Sequence, residues 1–220
     1  SNADAWSGTL THEDWNGRDN AGQFVADGTY YIAVDVRDYR GDSVRQNMLT
    51  RAVVVDNTPP GLSTLSVSNP YFAPGSAPSD KQNTAISYTL FDLPVESSRT
   101  TAAIEILKDG VLKATLQSPA TLEVGTAART FTKLWQNEGL GHPGTDDGTY
   151  TYRITATDQA GNFTVSSGTA VVDRIVPALS DLPSRIFNPH VDGSTRADFP
   201  ASDPPPSSGL SYSYVRAMIK

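Results

Sequence analysis

The chain reads as all-β, built from antiparallel β-sandwiches in tandem. Three observations predict this. A long phrase occurs twice at one fixed spacing: Trp15, then Asp27-Gly28-Thr29-Tyr30, Asp38 and Gly41, against Trp135, Asp147-Gly148-Thr149-Tyr150, Asp158 and Gly161. Apolar and polar residues alternate with period two along both copies. Each copy closes with a β-branched run into proline, Ala52-Val53-Val54-Val55 before Pro59-Pro60 and Ala170-Val171-Val172 before Pro177. A self-similarity one domain long marks a domain array.

The alternation is clearest after the Asp-Gly-Thr turn. Tyr150, Tyr152, Ile154 and Ala156 share one face, and Thr151, Arg153, Thr155 and Thr157 the other. In the earlier copy Tyr30, Ile32, Val34 and Val36 oppose Tyr31, Ala33, Asp35 and Arg37. A strand with one apolar and one wet face belongs to an antiparallel sheet that covers a core on one side. Proline cannot donate to a ladder, so it ends the closing strand and stiffens the linker. Domain edges are therefore expected near Pro60 and Pro177.

Between those edges, residues 61–178 form one complete repeat. Seven strands are expected in it: 62–68, 84–91, 101–108, 111–117, 128–135, 148–158 and 163–173. Lys108-Asp109-Gly110-Val111 predicts a tight hairpin, since Asp-Gly tolerates the positive φ of a type I′ turn. Ile104 and Ile106 favour one face of that hairpin, Leu107 and Leu112 the other, and a bulge could reconcile them. Seven short strands over this length suggest an immunoglobulin-like or fibronectin-III-like sandwich. The flanks are partial. Residues 1–60 match the end of a first repeat, with Ser1-Asn2-Ala3 reading as the scar of an expression tag. Residues 179–220 match the opening of a third, with Asn188-Pro189 in place of Asn69-Pro70 and Ser211-Tyr212-Ser213 in place of Ser87-Tyr88-Thr89.

The string WNGRDNAGQFVADGTYYIAVDVRD at residues 15–38 resembles the immunoglobulin-like domain type of the flagellar hook-capping protein, copies of which occur in tandem in bacterial surface and secreted proteins. Asn16 stands where that family usually has Asp, followed by Gly17-Arg18-Asp19. Asn69-Pro70 and Thr84-Ala85-Ile86-Ser87-Tyr88-Thr89-Leu90 fit the upstream half of the pattern. The second copy departs after Trp135, where QNEGLGHPGTDDGTY lacks the Gly-Arg-Asp segment. The resemblance implies a spacer or scaffold fold in an extracellular or cell-envelope setting. It does not imply hook capping, which is not expected of tandem copies.

Composition bounds the function classes. The net charge of −7, with no basic cluster, argues against nucleic acid and anionic membranes as partners. No apolar run is long enough for a membrane helix. The absence of cysteine removes disulfides, thiolate metal sites and thiol nucleophiles. His12, His142 and His190 lie far apart, one per unit, without metal-ligand or triad spacing. Glu96, Glu105, Glu123 and Glu138 offer no favoured carboxylate pair of the glycosidase kind. Asp203-Pro204-Pro205-Pro206 reads as a stiff loop.

No catalytic, cofactor or metal residue is therefore assigned. The expected structural residues are Trp15, Trp135, Tyr30 and Tyr150, the tryptophans in the core and the tyrosines as corners tied to nearby backbone. Calcium is a minor alternative through Asp158, Asn162, Asp38 and Asp42, against which Asp158–Asn162 also reads as a plain turn. The expected role is a non-catalytic spacer or adhesion module of a bacterial surface or secreted protein. Alternatives are a carbohydrate- or protein-binding module using loops 16–28 and 136–148, or an accessory segment of a secreted enzyme. The expected partners are neighbouring repeats, with strand complementation between residues 4–60 and 179–220 of different molecules.

Overall fold

The computed structural model describes residues 14–33, 50–75, 79–92, 99–123, 127–179 and 201–206. The chain divides into two compact units, Ser1–Thr58 and Pro59–Lys220. Among the described residues no helix is long and apolar enough to cross a membrane.

In the first unit β1 (Gly28–Ala33) pairs antiparallel with β2 (Thr50–Val55). The register sets Tyr30 opposite Val53 and Gly28 opposite Val55. Directly opposed residues share a face. Tyr30, Ile32, Val53 and Val55 therefore line one face, while Tyr31 and Val54 line the other.

The second unit carries β3 (Gly61–Val67), β4 (Tyr71–Phe72), β5 (Thr84–Phe91), β6 (Arg99–Lys108), β7 (Val111–Glu123), β8 (Arg129–Trp135), β9 (Gly148–Thr157) and β10 (Phe163–Val172). The seven expected strands all form. Three make a sheet in the order β3-β5-β8, and five make a second in the order β4-β10-β9-β6-β7. The short β4, unforeseen in the sequence, runs parallel to β10 through Val171↔Tyr71 and Val172↔Phe72. A two-residue strand carries no alternation, so its pairing is a tertiary effect. Further on, β11 (Ala178–Leu179) pairs with β12 (Ala201–Ser202).

The two larger sheets face one another across a single core. Ile86, Tyr88 and Leu90 of β5 and Trp135 of β8 meet Ile104, Ile106, Tyr150, Tyr152, Ile154 and Val172 from the other sheet. Strand β5 alternates buried and half-buried along its whole length, as period two requires. Burying each of the larger aliphatic side chains contributes about 1.5–3 kcal/mol. Phe72, delivered by β4, sits edge-on to Trp135 with centroids 4.8 Å apart.

The hairpin at Asp109-Gly110 has φ of 51° and 77°, the paired positive values a type I′ turn needs. The ambiguity over its inward face resolves through bulges. Unbroken register with β9 keeps Ile104 and Ile106 inward, and the three register shifts against β7, at Ala102/Ile104, Ile104/Glu105 and Ile106/Leu107, are taken up by extra residues on β7. Gln117 Nε2 donates to Ala102 O at 3.0 Å, a side chain standing in for a ladder bond at the first shift. Pro119 lies on β7, the outer strand of its sheet, where a missing donor blunts the edge. Gly168 lies opposite Tyr152, and the Tyr152 ring occupies the space a side chain would need there. That is why β10 carries glycine in mid-strand.

Candidate functional site

The repeated phrase folds into the same corner twice. Tyr150 opens β9 and turns inward beside Trp135, the last residue of β8, with ring centroids 5.6 Å apart. A buried phenol and a buried indole each need a polar partner. Tyr150 Oη donates to Asp146 O at 2.5 Å, four residues back, and Trp135 Nε1 donates to Glu138 O at 3.0 Å, three residues on. In the first unit Tyr30 Oη donates to Ala26 O at 2.9 Å and Trp15 Nε1 to Arg18 O at 2.9 Å. Those two rings lie 5.3 Å apart. Ring pair, donors and sequence offsets all recur. The corners differ in cover: Trp135 is 0% exposed and Trp15 39%. Core packing is therefore found for Trp135, whereas Trp15 remains partly open.

The aspartate of Asp-Gly-Thr-Tyr forms a second recurring contact. Asp147 accepts from Arg174 Nε at 2.6 Å and from the Arg174 backbone N–H at 2.7 Å. Both side chains are buried. The same guanidinium donates to Gly141 O and His142 O, which ties loop 136–147 to the end of β10. In the first unit Asp27 accepts from the Asn57 backbone N–H and from Asn57 Nδ2, each at 2.7 Å, and from the Thr58 hydroxyl. The Thr58 hydroxyl holds the Asp27 carboxyl below the usual carboxylate range; slight burial opposes it, and the Asn57 donors add to it. In each unit, an Asp before the turn fastens the residue that follows the closing strand.

Other sequence candidates find structural work. Glu138 is half-wrapped by the turn after Trp135. Burial pushes its carboxyl up, but the backbone N–H groups of Gln136, Glu138 itself and Asn137 outweigh this, and the net shift is downward. Glu105 pairs with Arg153 at 2.8 Å across β6 and β9 on the outer face. His142 is exposed, and its carbonyl accepts from Asp146 N, Thr145 Oγ1 and Arg174. Asp158 Oδ1 accepts from the backbone of Gly161 and Asn162 at 2.7 and 2.9 Å, and its Oδ2 from Asn162 Nδ2 at 2.8 Å. This is the turn geometry expected of that segment. The buried Asp92 and Asp158 bring carboxylate oxygens within 4.8 Å of one another, two of the about six to eight oxygens calcium takes. Asp92 Oδ2 also accepts from Thr100 Oγ1 at 3.1 Å. Asp38, Asp42, His12, His190 and Glu96 lie outside the described residues.

Sequence reasoning missed Arg174, and it named Glu138 only as a candidate catalytic carboxylate and not as the holder of a turn. Their signal is faint. Arg174 is a lone cation just past the apolar closing strand, after Val172-Asp173. Glu138 is an acid shortly after a tryptophan. Of the two loops set aside as ligand candidates, 136–148 presents a polar rim over the buried Trp135. Loop 16–28 exposes Phe24 at 65%, with the Arg18 guanidinium 3.7 Å from its ring centroid. Comparison with family models and with curated proteins returned no match.

Truncating Asp147 leaves the buried Arg174 guanidinium without its carboxylate. Asp147→Ala is expected to cost about 3–5 kcal/mol in urea unfolding, and the paired Asp147→Leu, Arg174→Met change much less. Equal losses in the two variants would refute the buried-pair account.

Burial pushes the phenols of Tyr88, Tyr150 and Tyr152 up, with Asp146 adding to the shift at Tyr150 and Gln117 opposing it at Tyr88. A raised folded-state value means that their stabilisation is complete below the ordinary phenol value of about 10 and is lost as pH rises through the raised values. Spectrophotometric titration is therefore expected to show a late tyrosinate step that coincides with loss of β-sheet circular dichroism. Titration of all nine tyrosines while the chain stays folded would contradict this.

Proposed function

We propose that the chain is a non-catalytic segment of tandem immunoglobulin-like or fibronectin-III-like sandwiches, acting as a spacer or adhesion scaffold in a bacterial surface or secreted protein. The observation that carries this is the double corner. The same Trp–Tyr pair, the same hydrogen bonds and the same Asp fastening occur in two units. Repetition of a cohesive device, with other loop residues varying around it, suits a unit selected for standing in a row. The arrangement of three strands against five, with a short parallel strand beside the closing one, supports the immunoglobulin-like assignment. The bacterial surface setting rests on the sequence resemblance alone.

A second reading has one observation in its favour. Phe24 and Arg18 on loop 16–28 offer an exposed aromatic-cation pair of the kind that stacks on sugars or peptides. It predicts an oligosaccharide or peptide that quenches Trp15 fluorescence saturably, with the effect abolished by Phe24→Ala.

The spacer reading is tested by pulling the chain between its ends in a force spectrometer. The second unit is expected to resist and then release in one step. At about 3.3–3.6 Å per residue, its repeat-length core gives a contour gain of roughly 35–40 nm. Extension without a cooperative step would overturn the spacer reading.

A further inference from the structure

The face that closes the core in the second unit is open in the first. Tyr152 is 3% exposed in the second unit, while Ile32, at the matching place on β1, is 42% exposed. Trp15 differs from Trp135 in the same sense. Trp15, Tyr30, Ile32, Val53 and Val55 therefore form a largely apolar face on the β1–β2 ribbon, with Arg51 opposite Ile32 at one end of it. Among the described residues of the first unit no further strand joins β1 and β2; two strands alone are marginally stable in water, and such a face seeks cover.

The second unit displays what fits there. Its corner is covered by Phe72 of β4 and by Ile86, Tyr88 and Leu90 of β5. One further stretch of the chain repeats that covering sequence. Leu210-Ser211-Tyr212-Ser213-Tyr214 matches Ile86-Ser87-Tyr88-Thr89-Leu90 residue by residue in its alternation, and Asn188-Pro189-His190-Val191 matches Asn69-Pro70-Tyr71-Phe72. Residues 180–200 and 207–220 lie outside the described part of the structure, so both matches are ones of sequence.

We infer that the open face of the first unit docks a second copy of this chain, taking the opening-strand sequence around Leu210, Tyr212 and Tyr214 in the place that β5 holds in the second unit. The inference rests on the tandem-sandwich reading above. The contact is head-to-tail: each molecule offers one open face and one covering sequence, so association propagates beyond a dimer. Backbone pairing and alternate apolar side chains would supply affinity and register, as in strand complementation.

The test uses the 220-residue chain in sedimentation equilibrium from low to high micromolar concentration. The unaltered chain is expected to self-associate. Ile32→Asp destroys the open face, Tyr212→Asp destroys the covering sequence, and each alone is expected to weaken association by about tenfold or more. Mixed together, the two variants keep one intact face and one intact covering sequence between them. Their mixture is expected to recover a one-to-one dimer that grows no further, a result that misfolding of either variant cannot produce. An unaltered chain that stays monomeric at every concentration overturns the inference, whether or not Trp15 is shielded from a soluble quencher. So does association of the unaltered chain with no recovery in the mixture, which would place the contact elsewhere. Either failure leaves the force-extension result untouched, so the docking and the spacer reading fall separately.

Discussion

Burying an indole beside a phenol brings two polar hydrogens into an apolar core. Each costs about 1–3 kcal/mol if left without an acceptor. The chain meets both needs within four residues of the ring that creates them. Tyr150 Oη turns back to Asp146 O, and Trp135 Nε1 reaches forward to Glu138 O. The satisfaction is local, so it does not wait for the rest of the sandwich. This explains why Trp15 and Tyr30 hold the same geometry while their face is open. The corner is satisfied locally, and the sheets pack on it. Phe72 touches Trp135, Trp135 touches Tyr150, and the core continues along β9 through Tyr152 and Ile154.

The residues around the corner are free to change because the requirement is for an acceptor or a donor, not for a particular side chain. After Trp15 the turn is held by Asn16 Oδ1 accepting from Arg18 N, and by Asp19 accepting from Ala21 and Gln23. After Trp135 a single Glu138 carboxylate takes two backbone N–H groups. The Asp before Gly is likewise met by Asn57 and Thr58 in one unit and by a buried arginine in the other. The loss of Gly-Arg-Asp from the second copy therefore changes the loop and keeps the anchor.

The strands of the second unit were legible because period two survives wherever one face is buried. Burial on β5 and β9 follows the apolar letters in register. What was not legible has a common physical cause: it depends on partners distant in sequence. Strand β4 has two residues and exists because β10 offers it an edge. The bulges lie on β7, which gives up its even pairing with β6, while β6 keeps unbroken register with β9 and so holds Ile104 and Ile106 on the core side. Arg174 looks like a stray cation after an apolar closing strand until Asp147, 27 residues earlier, is seen to meet it. The repeat located Asp147 and Tyr150 but was silent on their donors and acceptors, because those differ between copies or lie on the backbone.

The outer faces show how a sandwich can be strand-forming and wet at once. Thr89 meets Thr130 and Ser87 meets Thr132, each at 3.0 Å, across β5 and β8. Thr101 donates to Thr157 O across β6 and β9, two same-face pairs along from Glu105–Arg153. Threonine keeps the β-branched preference for extended backbone and exposes a hydroxyl. Isoleucine at those places would raise strand propensity equally and create sticky faces. Phe163 and Val165 of β10 and Leu134 of β8 are among the apolar residues that stay exposed on the outer faces. Hydroxyls outside and aromatics at the corner let the second unit be rich in strand without being uniformly apolar outside. The β1–β2 ribbon follows that rule less closely, since Ile32 stays 42% exposed opposite the charged Arg51.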